Sequence, residues 1–357
     1  MTRPLSDFPL EARIEVAQAI VAAKVSAAAA VTDEFFERHP DWLARYGEPG
    51  RNRGLEDASS HIDFLAAAIE SGSAEAFCDY ARWCARLLHG YGIAARFVAE
   101  NLEQVGKALA ARVPAGAAMI DSLVQAAAAA ARETPRETVP ADIAPPSPFA
   151  LPRSVFLQAI LNGRRRDALT VVREALLERV STADLYVHIF QTALYEIGAL
   201  WEQGRISVAQ EHLATATVQY VIAQVYAQLP MPPATRGNAV VTGVQGEFHQ
   251  VGANLVADML EADGWNVRFL GTNMPHRGII EAIEETPTAL LGISATMLFN
   301  LPHVRELVRD VRESLGANAP RIIVGGSAFR LCPEFCAEIG VEGPAADLVS
   351  AVQLCAA

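Results

Sequence analysis

From Asn238 onward the chain changes rhythm, and this change constrains its fold more than any other feature. Short apolar runs, "NAVVTGV", "WNVRFLG", "TALLGISA" and "RIIVGG", recur along the chain, with a short fifth near Val341. Amphipathic stretches alternate with them: "HQVGANLVADMLEADG", "HRGIIEAIEE", "PHVRELVRDVRESLG", "LCPEFCAEIG" and "ADLVSAVQLC". Strands that are apolar throughout and separated by helices belong to a parallel sheet covered on both faces. The expected architecture is a doubly wound, flavodoxin-like sheet in the order 2-1-3-4-5. In such sheets ligands gather beyond the carboxyl ends of the strands.

The chain before this sheet is helical and divides at one place. Residues 133–152, "ETPRETVPADIAPPSPFALP", are too rich in proline for a helix or a central strand. Before this linker, 9–39 has apolar residues at helical spacing and ends at His39-Pro40. A helix over 54–71 ends at Gly72, Ser73 caps the next, and Gly90 and Gly92 stop that one. Two more helices complete a bundle of five or six. After the linker a second helical stretch precedes the sheet. The expected domains are a helical bundle over 1–132, the linker over 133–152, a second helical domain over 153–232 and the sheet domain over 237–357.

Three strand ends carry unusual residues. Glu247, His249 and Gly252 follow the first strand, Ser294 and Thr296 end the third, and Gly325 and Gly326 end the fourth. In the order 2-1-3-4-5 these loops converge on one cleft. An imidazole beside a carboxylate two residues away suits a metal ligand whose other nitrogen is oriented by the acid. Paired glycines leave a strand end bare for a bulky group, and the two hydroxyls suit a buried heterocycle. The plainer alternative is a histidine capping the following helix beside ordinary glycine turns.

Glu247-x-His249-x-x-Gly252, then Ser294-x-Thr296, then Gly325-Gly326 together resemble the signature of cobalamin-binding domains. The resemblance implies that His249 is the lower axial cobalt ligand with Glu247 as its hydrogen-bond partner. It also implies that the cofactor's nucleotide tail passes Ser294, Thr296, Gly325 and Gly326. Asp is commoner in the family at position 247. Upstream, Ser207 and Gln210 form a capping box, which places Glu211 and His212 in the first turns of a helix, across the Gly204 turn from Trp201. Taken alone, these are a core tryptophan and a surface Glu-His pair. With the downstream motif, Trp201, Glu211 and His212 resemble the cap of adenosylcobalamin-dependent photoreceptors, which implies that they enclose an adenosyl group. In the transcription-factor members a histidine follows the tryptophan; here Glu202 stands there, which removes that residue as a cobalt ligand after photolysis.

The N-terminal stretch joined to such a module resembles the photocobilins, which pair adenosylcobalamin with biliverdin held in a globin-like helical domain; the resemblance implies a globin-like domain over 1–132 and a four-helix cap over 153–232. His61 shares a helical face with Phe64, Leu65 and Ala68, and Asp57 lies one turn earlier to hold one of its nitrogens. In the bilin reading His61 meets the pyrrole nitrogens or a propionate, while Arg82 and Arg86 pair with propionates. In the plain reading His61 is a satisfied core histidine. Haem ligation by His61 or His89 and covalent bilin attachment at Cys78 or Cys84 are the competing ideas.

Composition limits the partners. A formal net charge of -12 excludes nucleic acid as a direct partner. The five cysteines, odd in number and without a zinc-ligand pattern, fit a reducing compartment. No signal peptide is read at the start, and no charge-free apolar run is read as long enough to span a bilayer. The expectation is a cytoplasmic light sensor, not an enzyme, in which photolysis rearranges the cap. That change would alter a homo-oligomer or engage a separate signalling partner. The alternatives are a corrinoid methyl carrier of a methyltransferase system and a haem or gas sensor with an accessory cobalamin domain.

Overall fold

The computed structural model of the chain describes residues 4–134, 148–229 and 231–356. They fall into two compact units. The first takes the described residues of Met1–Arg136, Met297–Arg305 and Ser327–Gly340, and the second those of Glu137–Thr296, Glu306–Gly326 and Val341–Ala357. In chain order the early helices are α1 (Leu10–Arg38), α2 (Pro40–Ser71), α3 (Ala74–Gly90), α4 (Ala95–Arg112) and α5 (Ala117–Glu133). Then come α6 (Ala150–Leu161), α7 (Arg165–Leu177), α8 (Thr182–Asp184), α9 (Thr192–Glu202) and α10 (Val208–Tyr226). The sheet region runs β1 (Asn238–Gly243), α11 (Val251–Ala262), β2 (Asn266–Phe269), α12 (His276–Glu284), β3 (Leu290–Ser294) and α13 (Leu301–Leu315). It ends with β4 (Arg321–Gly325), α14 (Ser327–Leu331), α15 (Pro333–Glu338), β5 (Glu342–Ala345) and α16 (Leu348–Ala356).

In the helical unit, α1 stops at His39 and α2 starts on Pro40. Proline lacks the N–H that a helix interior needs but fits a first turn. The helix expected over 54–71 therefore begins earlier, and Gly47 (φ 59°) breaks it internally. Gly72 closes α2 in the left-handed region (φ 74°), and the Ser73 hydroxyl accepts from the Ala76 N–H to start α3. Ile20, Val31, Ile62, Leu65, Phe77, Leu102 and Ile120 form the buried interior. By length and composition alone α1 is long and apolar enough to cross a membrane, although Lys24 interrupts its apolar run. In this structure Ile20, Ala27, Ala28 and Val31 of α1 are buried in the unit's core.

This unit also holds the 3-10 turn Leu298–Asn300, α14 and α15, from far along the chain. The single helix expected at "LCPEFCAEIG" is broken there. Pro333 starts α15 and forces Cys332 out of the helical region (φ -135°).

In the second unit, α6 to α10 form the helical cap. A π-helical turn, Leu185–Gln191, joins α8 to α9. The expected linker falls largely on 135–147, outside the described residues. Its last residues belong to α6, because Pro152 sits in the first turn, where no N–H is missed. The five strands are parallel in the order β2-β1-β3-β4-β5, as the alternation implied. The register sets Gly243, Ser294 and Gly325 side by side, so β1, β3 and β4 end level. Phe156, Val172, Tyr186, Phe190, Val218 and Val221 of the cap share one core with Leu255 of α11 and Leu348 of α16.

Candidate functional site

The level strand ends bring the loops after β1 and β3 together. Beyond β1, Gly246 turns the chain with φ 85°, and the Glu247 N–H closes the turn on the Val244 carbonyl at 3.0 Å. The Glu247 side chain is fully buried, so its oxygens must be satisfied by the protein. Oε1 accepts from the His249 N–H at 2.9 Å and lies 2.6 Å from His249 Nδ1, while Oε2 accepts from the Thr296 N–H at 2.7 Å. Burial alone pushes this carboxyl up. The ring and amide of His249 and the amide of Thr296 outweigh burial and hold it at about 2.

An ionised carboxylate only accepts, so Nδ1 of His249 carries the proton in this pair and Nε2 of the neutral ring bears the lone pair. No other described residue hydrogen-bonds this ring, whose side chain is 56 % exposed. Among the described residues no group of three or more His, Cys, Asp or Glu can hold a metal ion. The exposed and oriented imidazole fits a cofactor whose metal takes one ligand from the protein.

Ser294 ends β3, and Gly252 lies in the first turn of α11, where an added Cβ would meet only open space. Gly325 ends β4 and Gly326 follows it. A Cβ on Gly326 (φ 102°) would lie 2.2 Å from the Ala295 carbonyl oxygen, and one on Gly325 would lie 3.3 Å from Ala345. The backbone itself demands glycine at 326, while the contact at Gly325 is tight and asks only a small shift of Ala345. Sequence reading missed Asn273, in the loop after β2, whose Oδ1 accepts from the Gly246 N–H at 2.9 Å. Its faint signal was an asparagine in a "GTN" turn.

In the cap, Trp201 lies in the last turn of α9, Gly204 turns the chain with φ 66°, and Ser207 with Gln210 makes the expected capping box. Glu211 and His212 fall in the first turns of α10. Glu211 bonds His212 Nδ1 at 2.5 Å and accepts from the Thr215 hydroxyl at 2.8 Å; the His212 side chain is 74 % exposed. Glu202 ends α9. A pair unseen in the sequence ties cap to sheet: the Tyr186 hydroxyl, in the π-helical turn, donates to Asp258 Oδ2 on α11 at 2.8 Å. Burial raises Asp258 to about 6 against that hydrogen bond.

In the helical unit the expected polar partners differ. His61 is 4 % exposed, and its Nδ1 bonds the Tyr80 hydroxyl at 2.8 Å instead of Asp57. Asp57 pairs with Arg53 at 3.3 Å, since an i,i+4 arginine on the exposed face reaches it more easily. Burial lowers His61 to about 4, which is the behaviour of a neutral core imidazole. Arg82 is engaged by Glu75 (2.6 Å) and Asp79 (2.5 Å), and Arg86 stands one turn further along α3. His89 lines a cavity of about 410 Å³ with Arg96 and Arg132. All five cysteines are buried free thiols.

Residues 237–353 match the family described as B12 binding domain, and residues 153–226 match a second family of the same description. The chain is similar to dimethylamine corrinoid protein 3 of Methanosarcina acetivorans, at 25% identity over 170 residues, 47% of this chain and 79% of the relative. It is similar to a corrinoid protein of Desulfitobacterium hafniense at 22% identity over 201 residues, 55% of this chain and 92% of the relative. Among solved structures, the monomethylamine corrinoid protein of Methanosarcina barkeri shares the fold, with a TM-score of 0.52 at 20% identity. That likeness covers 58% of this chain and 97% of the other. Residues 153–226 and 237–353 thus form a cobalamin-binding module.

Proposed function

We propose that this chain is a corrinoid carrier protein of a methyltransferase system. It would bind cobalamin through His249 Nε2 and present it to separate partner proteins that load and unload a one-carbon group. The observation that carries the reading is the Glu247 carboxylate, buried and shared between His249 Nδ1 and the Thr296 amide. It supports an imidazole whose tautomer is already set for metal binding before any cofactor arrives. The similarity to corrinoid proteins supports carriage of the cofactor in preference to catalysis by the chain itself.

Bound cobalamin supplies a cobalt centre able to take up and release an alkyl group. The protein's part is to hold, orient and cover. His249 would bind the cobalt, and Glu247 fixes the ring. The Thr296 amide locks Glu247, and Ser294 and Gly252 would help hold the cofactor's nucleotide tail. The cap would cover the bound cofactor.

A second reading, light sensing with adenosylcobalamin, is favoured by Trp201 and the Glu211–His212 pair flanking one tight turn of the cap. Light would then change the assembly of copies of the chain or the binding of a signalling partner. Biliverdin has less support, since His61 and Arg82 already have partners inside the helical unit.

Titration of the full chain with methylcobalamin and adenosylcobalamin in the dark, then under illumination, separates the two readings. A carrier takes both forms with similar affinity and keeps one assembly state by size-exclusion chromatography under light. A sensor prefers the adenosyl form and changes its assembly. His249→Ala should lose the histidine-ligated spectrum in either case. Wild-type-like spectra in that variant would end the His249 assignment.

A further inference from the structure

The chain that follows β2 runs beside the end of β1. The Leu270 N–H donates to the Val241 carbonyl (3.0 Å), the Gly243 N–H to Gly271 (3.1 Å) and the Met274 N–H to Gly243 (3.1 Å). Val244 and Met274 form an isolated parallel bridge. Within this ribbon Asn273 holds φ at 58°, one of two positive values at non-glycine positions among the described residues. Glycine adopts that conformation at no steric cost, and asparagine is among the few other residues that tolerate it. An asparagine there in place of glycine calls for a use of its side chain. The use is visible: Oδ1 accepts the N–H of Gly246, the residue directly before Glu247.

We propose that Asn273 is a positioning residue of the candidate site. Its side-chain carbonyl pins the Gly246 amide, sets the entry to the Glu247–His249 turn, and so fixes where His249 Nε2 is presented. The inference rests on the reading of His249 as a cobalt ligand and adds a residue from the loop after β2. The Gly246 amide sits midway through the turn that Glu247 closes on Val244. Without Asn273 that amide turns to water, and the turn is held by one backbone bond. The Glu247 carboxylate then reaches its partners from a looser base.

Two substitutions isolate the carbonyl from the backbone requirement. Asn273→Gly keeps the positive φ and deletes the acceptor, whereas Asn273→Asp keeps both. In the apo protein, hydrogen exchange by mass spectrometry should show the 245–249 segment opening about fivefold more often in Asn273→Gly and as in wild type in Asn273→Asp. In the cob(II)alamin-loaded protein, 15N-histidine labelling should alter the cobalt EPR splitting of wild type and of Asn273→Asp. The altered fraction should fall in Asn273→Gly. Unchanged exchange and unchanged splitting in Asn273→Gly overturn the proposal, as does an Asn273→Asp variant that behaves like it. A wild-type spectrum blind to the label sinks the cobalt-ligand reading instead, and the exchange comparison still judges Asn273.

Discussion

A carboxylate shut away from water must be satisfied by the chain, and Glu247 shows what that does for a neighbouring histidine. Its value near 2 lies below the ordinary 4.5, so the folded state binds the proton less readily than the unfolded chain does. The associated stability is present above about pH 4.5 and is lost as the pH falls toward about 2. The shift corresponds to roughly 3 kcal/mol. Glu247→Gln keeps the size and one acceptor without the charge. Urea unfolding of the apo protein should find it less stable than wild type at about pH 6, with the gap closing as the pH is lowered toward about 3. A gap independent of pH would show that the ionised form is not what matters. Glu247 and His249 were legible in the sequence because both lie in one short loop. Asn273 was not, because only the register of β1 on β2 carries it to Gly246.

The cap and the helix after the His249 loop meet through two tyrosine–carboxylate pairs. Tyr186 donates to Asp258, and Tyr226 donates to Glu261 at 2.5 Å. Asn254 also donates to Asp258, at 3.2 Å. Asp258 is raised to about 6, so its favourable contribution is complete below about pH 3.8 and is lost as the pH rises through 6. At neutral pH the ionised group is costly and depends on its donors. Tyr186→Phe should then destabilise the protein by about 2 kcal/mol at pH 7, the usual worth of a hydrogen bond to a buried charge. Asp258→Asn should raise the urea midpoint at neutral pH, with the gain gone below about pH 4. A Tyr186→Phe variant as stable as wild type at both pH values would count against the pair. The helices themselves were legible from apolar spacing and caps, as at Ser207–Gln210. The π-helical turn was not, since nothing in "LYVHIFQ" departs from helical patterning.

At the scale of the whole molecule, the helical unit is built from distant pieces of chain. Arg13 of α1 is 1% exposed and bonds Glu338 of α15 (2.5 Å) and the Glu70 carbonyl (3.0 Å). The Glu70 carboxylate takes Arg305 at 2.7 Å, and the Ser71 hydroxyl meets Cys332. Glu338 keeps a third of its side chain in water, so losing Arg13 chiefly leaves the Glu70 carbonyl without this donor, and Arg13→Met should cost about 1–3 kcal/mol in the full chain. Hydrogen exchange should locate the loosening in both α1 and 327–340. Loosening confined to α1 would show that Glu338 is not held by this pair. The sequence by itself determined the strand–helix alternation, the sheet order that follows from it, and the Glu247–His249 motif. Each is local, set by apolar period, by crossover chemistry or by spacing within one loop. Only the tertiary structure decided that His61 bonds Tyr80, that Gly326 makes room for Ala295, and that 297–305 and 327–340 join the N-terminal helices. Those outcomes depend on which surfaces meet after the chain has folded, and no short-range pattern encodes such meetings.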